Sequence, residues 1–407
     1  MIKNIHNMVE DQADTEFEDV KCCPSCAEVD YTDFFSFDNL PIHVGVFFGT
    51  SDTAKNAPTG DVTLSFCHRC GLVFNRKFDP ELIAYEPGYE VALHHSAVFR
   101  SFMESVAQRL VEQYDVRGKR VFELGCGSGY FLKLLCELGA NNGVGIDPTV
   151  SKESDEVVGE GRVKLIRDYF SDRYSYLDPE FVCCLSVFEH IPNPRELLQD
   201  LSRMLSNRDV PVYFEVFNAF RAFQEKETWS IHYEQCNYFS KDSLNNLFQR
   251  CGFDVKEAST CYEGGQYLYC NAVPRSESLP VAPLTPRMEL PAALMNFGKT
   301  HQRILSEWSQ RFAEMKARGE RVVVWGTGGK GISFLNALKD NTVVENVVEI
   351  NPDKQGKYVP GSGQLIVPPD FLASYQPHTV IITNPLYENE MKQQAQEMGV
   401  YCDFLIA

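Results

Sequence analysis

Apolar positions recur along this chain at two alternating periods, and the alternation predicts strand–helix–strand units in two separate regions. Over residues 101–114, Phe102, Val106, Leu110 and Val111 fall at helical spacing. The apolar run 121–124 reads as a strand that enters Gly125-Cys126-Gly127-Ser128-Gly129, and Phe131, Leu132, Leu134 and Leu135 then open a helix. Further strands are expected at 143–146, 164–168, 181–187 and 212–216, and Ser240-Lys241-Asp242-Ser243 starts a helix whose face carries Leu244, Leu247 and Phe248. The second region repeats the scheme. Ile304, Trp308, Phe312 and Met315 mark a helix, 322–325 a strand before Gly326-Thr327-Gly328-Gly329-Lys330-Gly331, and two more strands end near Glu349 and at Thr383.

Between the regions, Pro274, Pro280, Pro283, Pro286 and Pro291 stand in a polar setting that reads as a semi-rigid linker. The expected parts are a tail and metal-binding module at 1–80, a cofactor-binding domain at 81–273, a linker at 274–294, and a C-terminal Rossmann-like domain at 295–407. A chain of 407 residues can give each its own core. The first twenty residues are polar and acidic, without the basic and apolar regions of a secretory signal, and read as a frayed tail.

Charge narrows the partners: 38 basic against 56 acidic side chains leave a net −18, which repels nucleic-acid backbones, and there is no basic block to offset it. No apolar run approaches the roughly 20 residues of a membrane span. The expected partner is a small-molecule acceptor, in a cytoplasmic and reducing setting, with the oligomeric state open. Fourteen cysteines are not spaced as a disulfide framework. Four of them pair as Cys23-Pro24-Ser25-Cys26 and Cys67-His68-Arg69-Cys70, the spacing of two metal knuckles. Four thiolates satisfy tetrahedral zinc and close the site, so a structural metal is expected at Cys23, Cys26, Cys67 and Cys70, with Cys22 an alternative to Cys23. The segment between the pairs, rich in Gly, Pro, Asn and Asp, offers little apolar surface, and Gly71 fits a knuckle turn with positive φ.

The glycine turn of the central region is GxGxG rather than the dinucleotide GxGxxG, with Glu123 inside the preceding strand and Asp147 at the end of the next. A carboxylate at Asp147 is placed to accept from ribose hydroxyls. Together, Glu123, Gly125, Gly127, Gly129 and Asp147 resemble the class I S-adenosylmethionine-dependent methyltransferases, a doubly wound α/β fold. The resemblance implies S-adenosylmethionine as cofactor, with Asp168 meeting the adenine amine.

A narrower resemblance spans nearly the whole chain. Its carriers are the two CxxC pairs, the glycine turn, Glu189-His190-Ile191-Pro192-Asn193-Pro194, Tyr233-Glu234-Gln235-Cys236-Asn237-Tyr238-Phe239-Ser240 and the C-terminal glycine loop. They resemble the C-methyltransferases of nucleotide-linked keto-deoxysugars, which join a zinc module, a class I methyltransferase domain and a C-terminal α/β domain that helps form the acceptor site. In that family the second segment reads YEHxxYF, and its His is the general base that removes a proton next to the keto group. Here the position is Gln235, and an amide takes no proton at neutral pH. His232 or His190 could take the role, and Tyr233, Gln235 and Tyr238 could donate to the developing oxyanion.

A further segment, with Tyr85, Tyr89, His94 and His95, precedes the leading helix as a lid over the cofactor. The reacting centre is therefore expected at His190, His232, Tyr233, Glu234, Gln235 and Tyr89, and the cofactor at Glu123, Gly125, Gly127, Gly129, Asp147, Asp168 and Tyr85. The favoured function is methyl transfer to carbon through an enolate. The competitors are O- or N-methylation of a small molecule, which Gln235 favours, and a non-catalytic partner that keeps the fold. NAD-dependent chemistry rests on the C-terminal glycine loop alone, and Lys330 does not complete the P-loop pattern of nucleoside triphosphatases.

Overall fold

The computed structural model describes residues 21–89, 91–206, 208–275 and 287–407. The stretch read as a tail and most of the proline-rich linker lie outside the described residues. Among the described residues the chain forms three sheets. The largest has eight strands in the order Phe253–Cys261, Tyr267–Pro274, Val212–Phe217, Phe181–Leu185, Arg120–Leu124, Asn142–Ile146, Gly161–Ile166, Ser154–Val158. The five strands from Val212–Phe217 to Gly161–Ile166 run parallel; Tyr267–Pro274 and Ser154–Val158 flank them antiparallel, and Phe253–Cys261 pairs antiparallel with Tyr267–Pro274 at the outer edge. This is the class I methyltransferase arrangement.

Alternation along the strands explains why both faces are covered. Phe122, Leu124, Val182, Cys184, Val212 and Phe214 enter one apolar cluster with Leu198, Leu201, Leu244 and Leu247 from the helices Pro194–Met204 and Lys241–Arg250. Their neighbours Val121, Phe181, Cys183 and Tyr213 enter another with Met103, Leu110, Leu132 and Leu135 from the helices Ala97–Gln113 and Tyr130–Gly139. A strand buried on both sides reads as a near-continuous apolar run, which is why the sequence located these strands. The leading helix starts earlier than its apolar period because Ser96 caps it by accepting from Phe99 N. Ser240 and Ser243 form a reciprocal capping box at the helix expected there.

The N-terminal module corrects one expectation. The segment between the cysteine pairs is not short of core: Tyr31–Pro41 and Thr59–Cys67 pair antiparallel and bury Phe35, Leu40, Val62, Leu64 and Phe66. Its turn-forming residues cluster in the connection, while the strands keep alternate apolar positions. Val73–Asn75 adds a third strand, and Asn237–Tyr238 from the central region adds a fourth, bonded to Val73 and Phe74.

The C-terminal sheet is all parallel, in the order Leu365–Val367, Val344–Val348, Val322–Trp325, Thr379–Ile382, Asp403–Ile406. Its long helix, Phe297–Ala317, lies on the first strand of the N-terminal module, with the Phe297 and Phe35 rings edge to face at 5.2 Å. His301 of this helix is buried among Phe35, Phe37 and Trp229, where all three parts meet, and burial pushes its pKa down to about 4.

Candidate active site

The carboxyl ends of the central strands form one wall of a cavity of about 1500 Å³, whose opposite wall is the C-terminal glycine loop. The turn after Arg120–Leu124 needs glycine: Gly125, Gly127 and Gly129 have φ of 70°, 51° and 78°. A Cβ on Gly127 would meet nothing within 4 Å, so this residue offers bare backbone to the cavity. Gly129 does not line the cavity; it begins the helix Tyr130–Gly139, and a Cβ there would stand 2.8 Å from Leu165.

Asp147 holds the turn in place, with Oδ2 accepting from Gly127 N at 2.8 Å and Oδ1 from Thr149 N at 2.7 Å. Glu123 is buried with Oε2 unpartnered, and burial, with Asp147 nearby, drives its pKa well above the carboxylate range. An orphaned buried oxygen beside an open glycine turn and a ribose-competent carboxylate fits the amino-acid and nucleoside ends of S-adenosylmethionine. Asp168 also lines the cavity, but its Oδ2 is already engaged by Arg173 and the Tyr174 hydroxyl.

The structure brings His190, His232, Glu234, Gln235, Tyr85 and Tyr89 to the cavity wall. His190 Nδ1 lies 3.0 Å from the carbonyl oxygen of Glu234. Since a carbonyl only accepts, Nδ1 is the donor, so in the neutral ring Nε2 is the nitrogen that carries the lone pair. His232 Nδ1 is 3.3 Å from Ser333 Oγ of the C-terminal domain, and loss of solvent pushes its pKa down to about 4. The Glu234 carboxylate is buried, which alone would raise its pKa, but His43, His190 and the Tyr89 hydroxyl outweigh that and hold it low. Its Oε1 accepts from Tyr89 OH at 2.6 Å. The Tyr85 hydroxyl is buried without a partner. Gln235 is buried, its Nε2 3.4 Å from the Asn237 carbonyl.

Two expected donors are elsewhere. Tyr233 does not line the cavity; its ring turns into the N-terminal module against Phe78, and its hydroxyl accepts from Asp79 N at 2.9 Å. Tyr238 donates to the His232 carbonyl at 3.1 Å and fixes the loop from behind. Tyr233 and Glu234 sit at a bend just before the strand Asn237–Tyr238, and their side chains go to opposite sides, Tyr233 to the N-terminal module and Glu234 to the cavity. His94 lines the cavity stacked on Tyr130, with centroids 4.5 Å apart, and on His95.

Sequence reasoning missed Glu189, Glu215 and His43 as site residues. Glu189 accepts from Phe217 N at 3.0 Å, and Glu215 is fully buried with its pKa pushed up to about 8 by burial. A lone acid inside the apolar strand Val212–Phe217 was the available signal for Glu215. His43 carries none, because its partner Glu234 is 191 positions away.

The four expected metal ligands converge. The sulfurs of Cys23, Cys26, Cys67 and Cys70 lie within 4.8 Å of one another and are buried, with Cys23–Cys70 at 3.6 Å and Cys26–Cys67 at 3.5 Å. Metal–sulfur bonds of about 2.3 Å in a tetrahedron put sulfurs about 3.8 Å apart, so this donor set fits zinc. Cys22 is exposed and outside the cluster, which leaves Cys23 as the ligand. Gly71 has φ of 75°, as the knuckle turn requires.

In the C-terminal domain Lys330 does not reach freely into the cavity. Its Nζ pairs with Glu227 Oε2 at 2.7 Å, Ser333 Oγ donates to the Ile231 carbonyl at 2.7 Å, and Glu390 caps the helix Ala97–Gln113 by accepting from Ala97 N at 3.1 Å. The domain is thereby pinned to the central one on both sides of the cavity.

A family model for a methyltransferase domain matches residues 95–258, and one for a C-methyltransferase C-terminal domain matches residues 285–403. The C-methyltransferase NovU of Streptomyces niveus is 24% identical over 402 residues, 92% of each chain. A ubiquinone biosynthesis O-methyltransferase of Actinobacillus pleuropneumoniae serotype 7 (strain AP76) is 28% identical over 111 residues, 25% of this chain and 47% of that one. Among solved structures, magnesium protoporphyrin IX methyltransferase of Synechocystis PCC 6803 with bound S-adenosylmethionine is 18% identical, covering 46% of this chain and 86% of its own, with a TM-score of 0.34.

Proposed function

We propose that this chain, an S-adenosylmethionine-dependent methyltransferase with a C-methyltransferase C-terminal domain, methylates a carbon beside the keto group of a small acceptor, a nucleotide-linked keto-deoxysugar being the best fit. The observation that carries the reading is the meeting, in one cavity, of a histidine nitrogen with a free lone pair, an unpartnered phenol and the open glycine turn. S-adenosylmethionine supplies an electrophilic methyl on a sulfonium. Asp147 and the Gly127 backbone would hold its ribose end, and Glu123 Oε2 its ammonium.

His190 Nε2 would take the proton from the carbon, leaving the electron pair shared with the keto oxygen. Tyr85 OH donates to that oxygen, where negative charge develops, and the Gln235 amide adds a second donor. Tyr89 is a poorer candidate for the same task because Glu234 already accepts its proton. Lys354 and Lys357 also line the cavity; Lys354 is buried against Glu349 at 3.9 Å, which leaves Lys357 as the cation suited to the phosphates of a nucleotide-linked acceptor. NovU aligns over nearly its whole length, which supports the carbon as the methylated atom. Gln235 in place of a base is the observation that favours O-methylation as the second reading. We further propose one structural zinc on Cys23, Cys26, Cys67 and Cys70.

The test is turnover of a thymidine diphosphate 4-keto-6-deoxyhexose with methyl-¹³C-labelled cofactor. A labelled methyl resonance in the C–CH₃ range, correlated through its protons to a ring carbon of the sugar, marks C-methylation, and an O-methyl resonance would reject it. His190→Asn is expected to lower kcat by roughly 10²- to 10⁴-fold while leaving S-adenosylhomocysteine binding intact. Metal analysis should find about one zinc per chain, and chelation should unfold the N-terminal module.

A further inference from the structure

His43 follows the first strand of the N-terminal module and enters the central domain edge-on to two lid tyrosines, its ring centroid 5.7 Å from Tyr85 and 5.9 Å from Tyr89. Its Nδ1 lies 3.4 Å from Glu234 Oε2, which also accepts from Val44 N at 3.2 Å. Gly45 completes the approach: a Cβ there would stand 2.6 Å from the Tyr89 ring. The loop His43-Val44-Gly45 thus supplies two contacts to a single carboxylate oxygen and a bare backbone surface to the lid.

Glu234 is the hub that this loop grips. Its other carboxylate oxygen takes the Tyr89 hydroxyl, and its own carbonyl takes His190 Nδ1. A buried carboxylate with four-point hydrogen-bonding capacity settles where its donors stand, so the donors fix the rotation of the whole residue. A small rotation of that residue would move the carbonyl and with it the direction of the His190 lone pair.

We infer that His43 is a positioning residue that sets His190 and Tyr89 through Glu234, which makes the metal-binding module a working part of the acceptor site. The inference goes beyond the proposed reaction and rests on it only for its kinetic arm. It also assigns the module a task besides its own stability: the hairpin that the cysteines anchor delivers His43 to the site.

Two variants separate donation from shape. His43→Phe keeps a ring against Tyr85 and Tyr89 but cannot donate, whereas His43→Asn can donate from near the Nδ1 position. With the thymidine diphosphate keto-sugar as acceptor, H43F is expected to lose roughly ten- to a hundredfold in kcat, with KM and S-adenosylhomocysteine affinity kept within about twofold, and H43N to regain most of the loss. Equal losses in both variants, or none in H43F, would overturn the inference.

An acceptor-free arm keeps it testable if the keto-sugar is not turned over. In ¹⁵N-histidine NMR spectra, the His43 and His190 signals are both expected to move in Glu234→Gln, and the His190 signal to move in H43F. Those shifts without turnover would reject the proposed acceptor and leave the positioning chain standing. A His190 signal unmoved in H43F would reject the chain.

Discussion

Gly127 N donates to Asp147 Oδ2 at 2.8 Å in the central domain, and Thr327 N donates to Glu349 Oε2 at 3.0 Å in the C-terminal one. In both, a carboxylate just after the second strand of a strand–loop–helix–strand unit braces the glycine loop after the first. The two loops then diverge. Above Gly127 there is open cavity, whereas a Cβ on Gly329 would stand 2.6 Å from the His232 ring. Lys330 and Ser333 spend their donors on Glu227 and the Ile231 carbonyl, so much of the second loop and its helix recognises protein. Bracing by a carboxylate therefore identifies a loop as rigid, and the residues on the following helix decide what the rigid loop is for.

The comparison breaks most sharply at the braces. Asp147→Ala should weaken S-adenosylhomocysteine binding by roughly a hundredfold or more in a calorimetric titration, the loss of two charge-assisted hydrogen bonds and of the turn's support. Glu349→Ala should leave that affinity within about threefold while lowering the melting temperature. Comparable losses of affinity would mean that both loops hold the cofactor.

A smaller effect is expected at the contact between the domains. Lys330→Met leaves Glu227, which is mostly buried, with Arg221 as its remaining cation, and should cost about 2 kcal/mol in denaturant unfolding without changing cofactor affinity.

Acid should act on the same side. His232 has its pKa depressed to about 4 in the folded chain, below the usual histidine value, so its contribution is intact above about pH 6.5 and is lost as pH falls toward 4. At pH 5.5 the loss amounts to about 1.4 kcal/mol, and His232→Gln should flatten this part of the stability profile. The smallest stability change belongs to Gly127→Ala. Its φ of 51° costs about 1 kcal/mol with a side chain, yet the methyl group projects into the open cavity and is expected to reduce S-adenosylhomocysteine affinity more than stability. Gly329→Ala should do the reverse, because its methyl group meets His232.

The strands buried on both faces were legible in the sequence because such a position is filled by a near-continuous apolar run, which the single acids Glu123 and Glu215 interrupt without hiding. The glycine turn, Asp147 and the four cysteines were legible because each is fixed by local spacing. What escaped depends on contacts between distant segments. Spacing could not say that Tyr233 faces the module while Glu234 faces the cavity, nor that Lys330 is claimed by Glu227, 103 positions away. The short edge strand Ser154–Val158, with Val157 exposed, shows no apolar run at all and forms by hairpin pairing with Gly161–Ile166. The apolar content of the N-terminal hairpin was underrated because its polar connection dominated the composition of the segment.

The fourth strand of the N-terminal sheet has a consequence for how the chain is made. Asn75 N bonds to the Cys236 carbonyl, and Val73 and Phe74 pair with Tyr238 and Asn237, so the sheet is finished by residues translated roughly 160 positions later. At about 5–20 residues per second, the ribosome needs on the order of ten seconds to supply them. During that interval Val73–Asn75 is an open edge on a nascent chain, and the hairpin with its cysteines must persist without its final neighbour. Early capture of a metal ion by the two knuckles would keep that edge ordered until the central domain emerges to cover it.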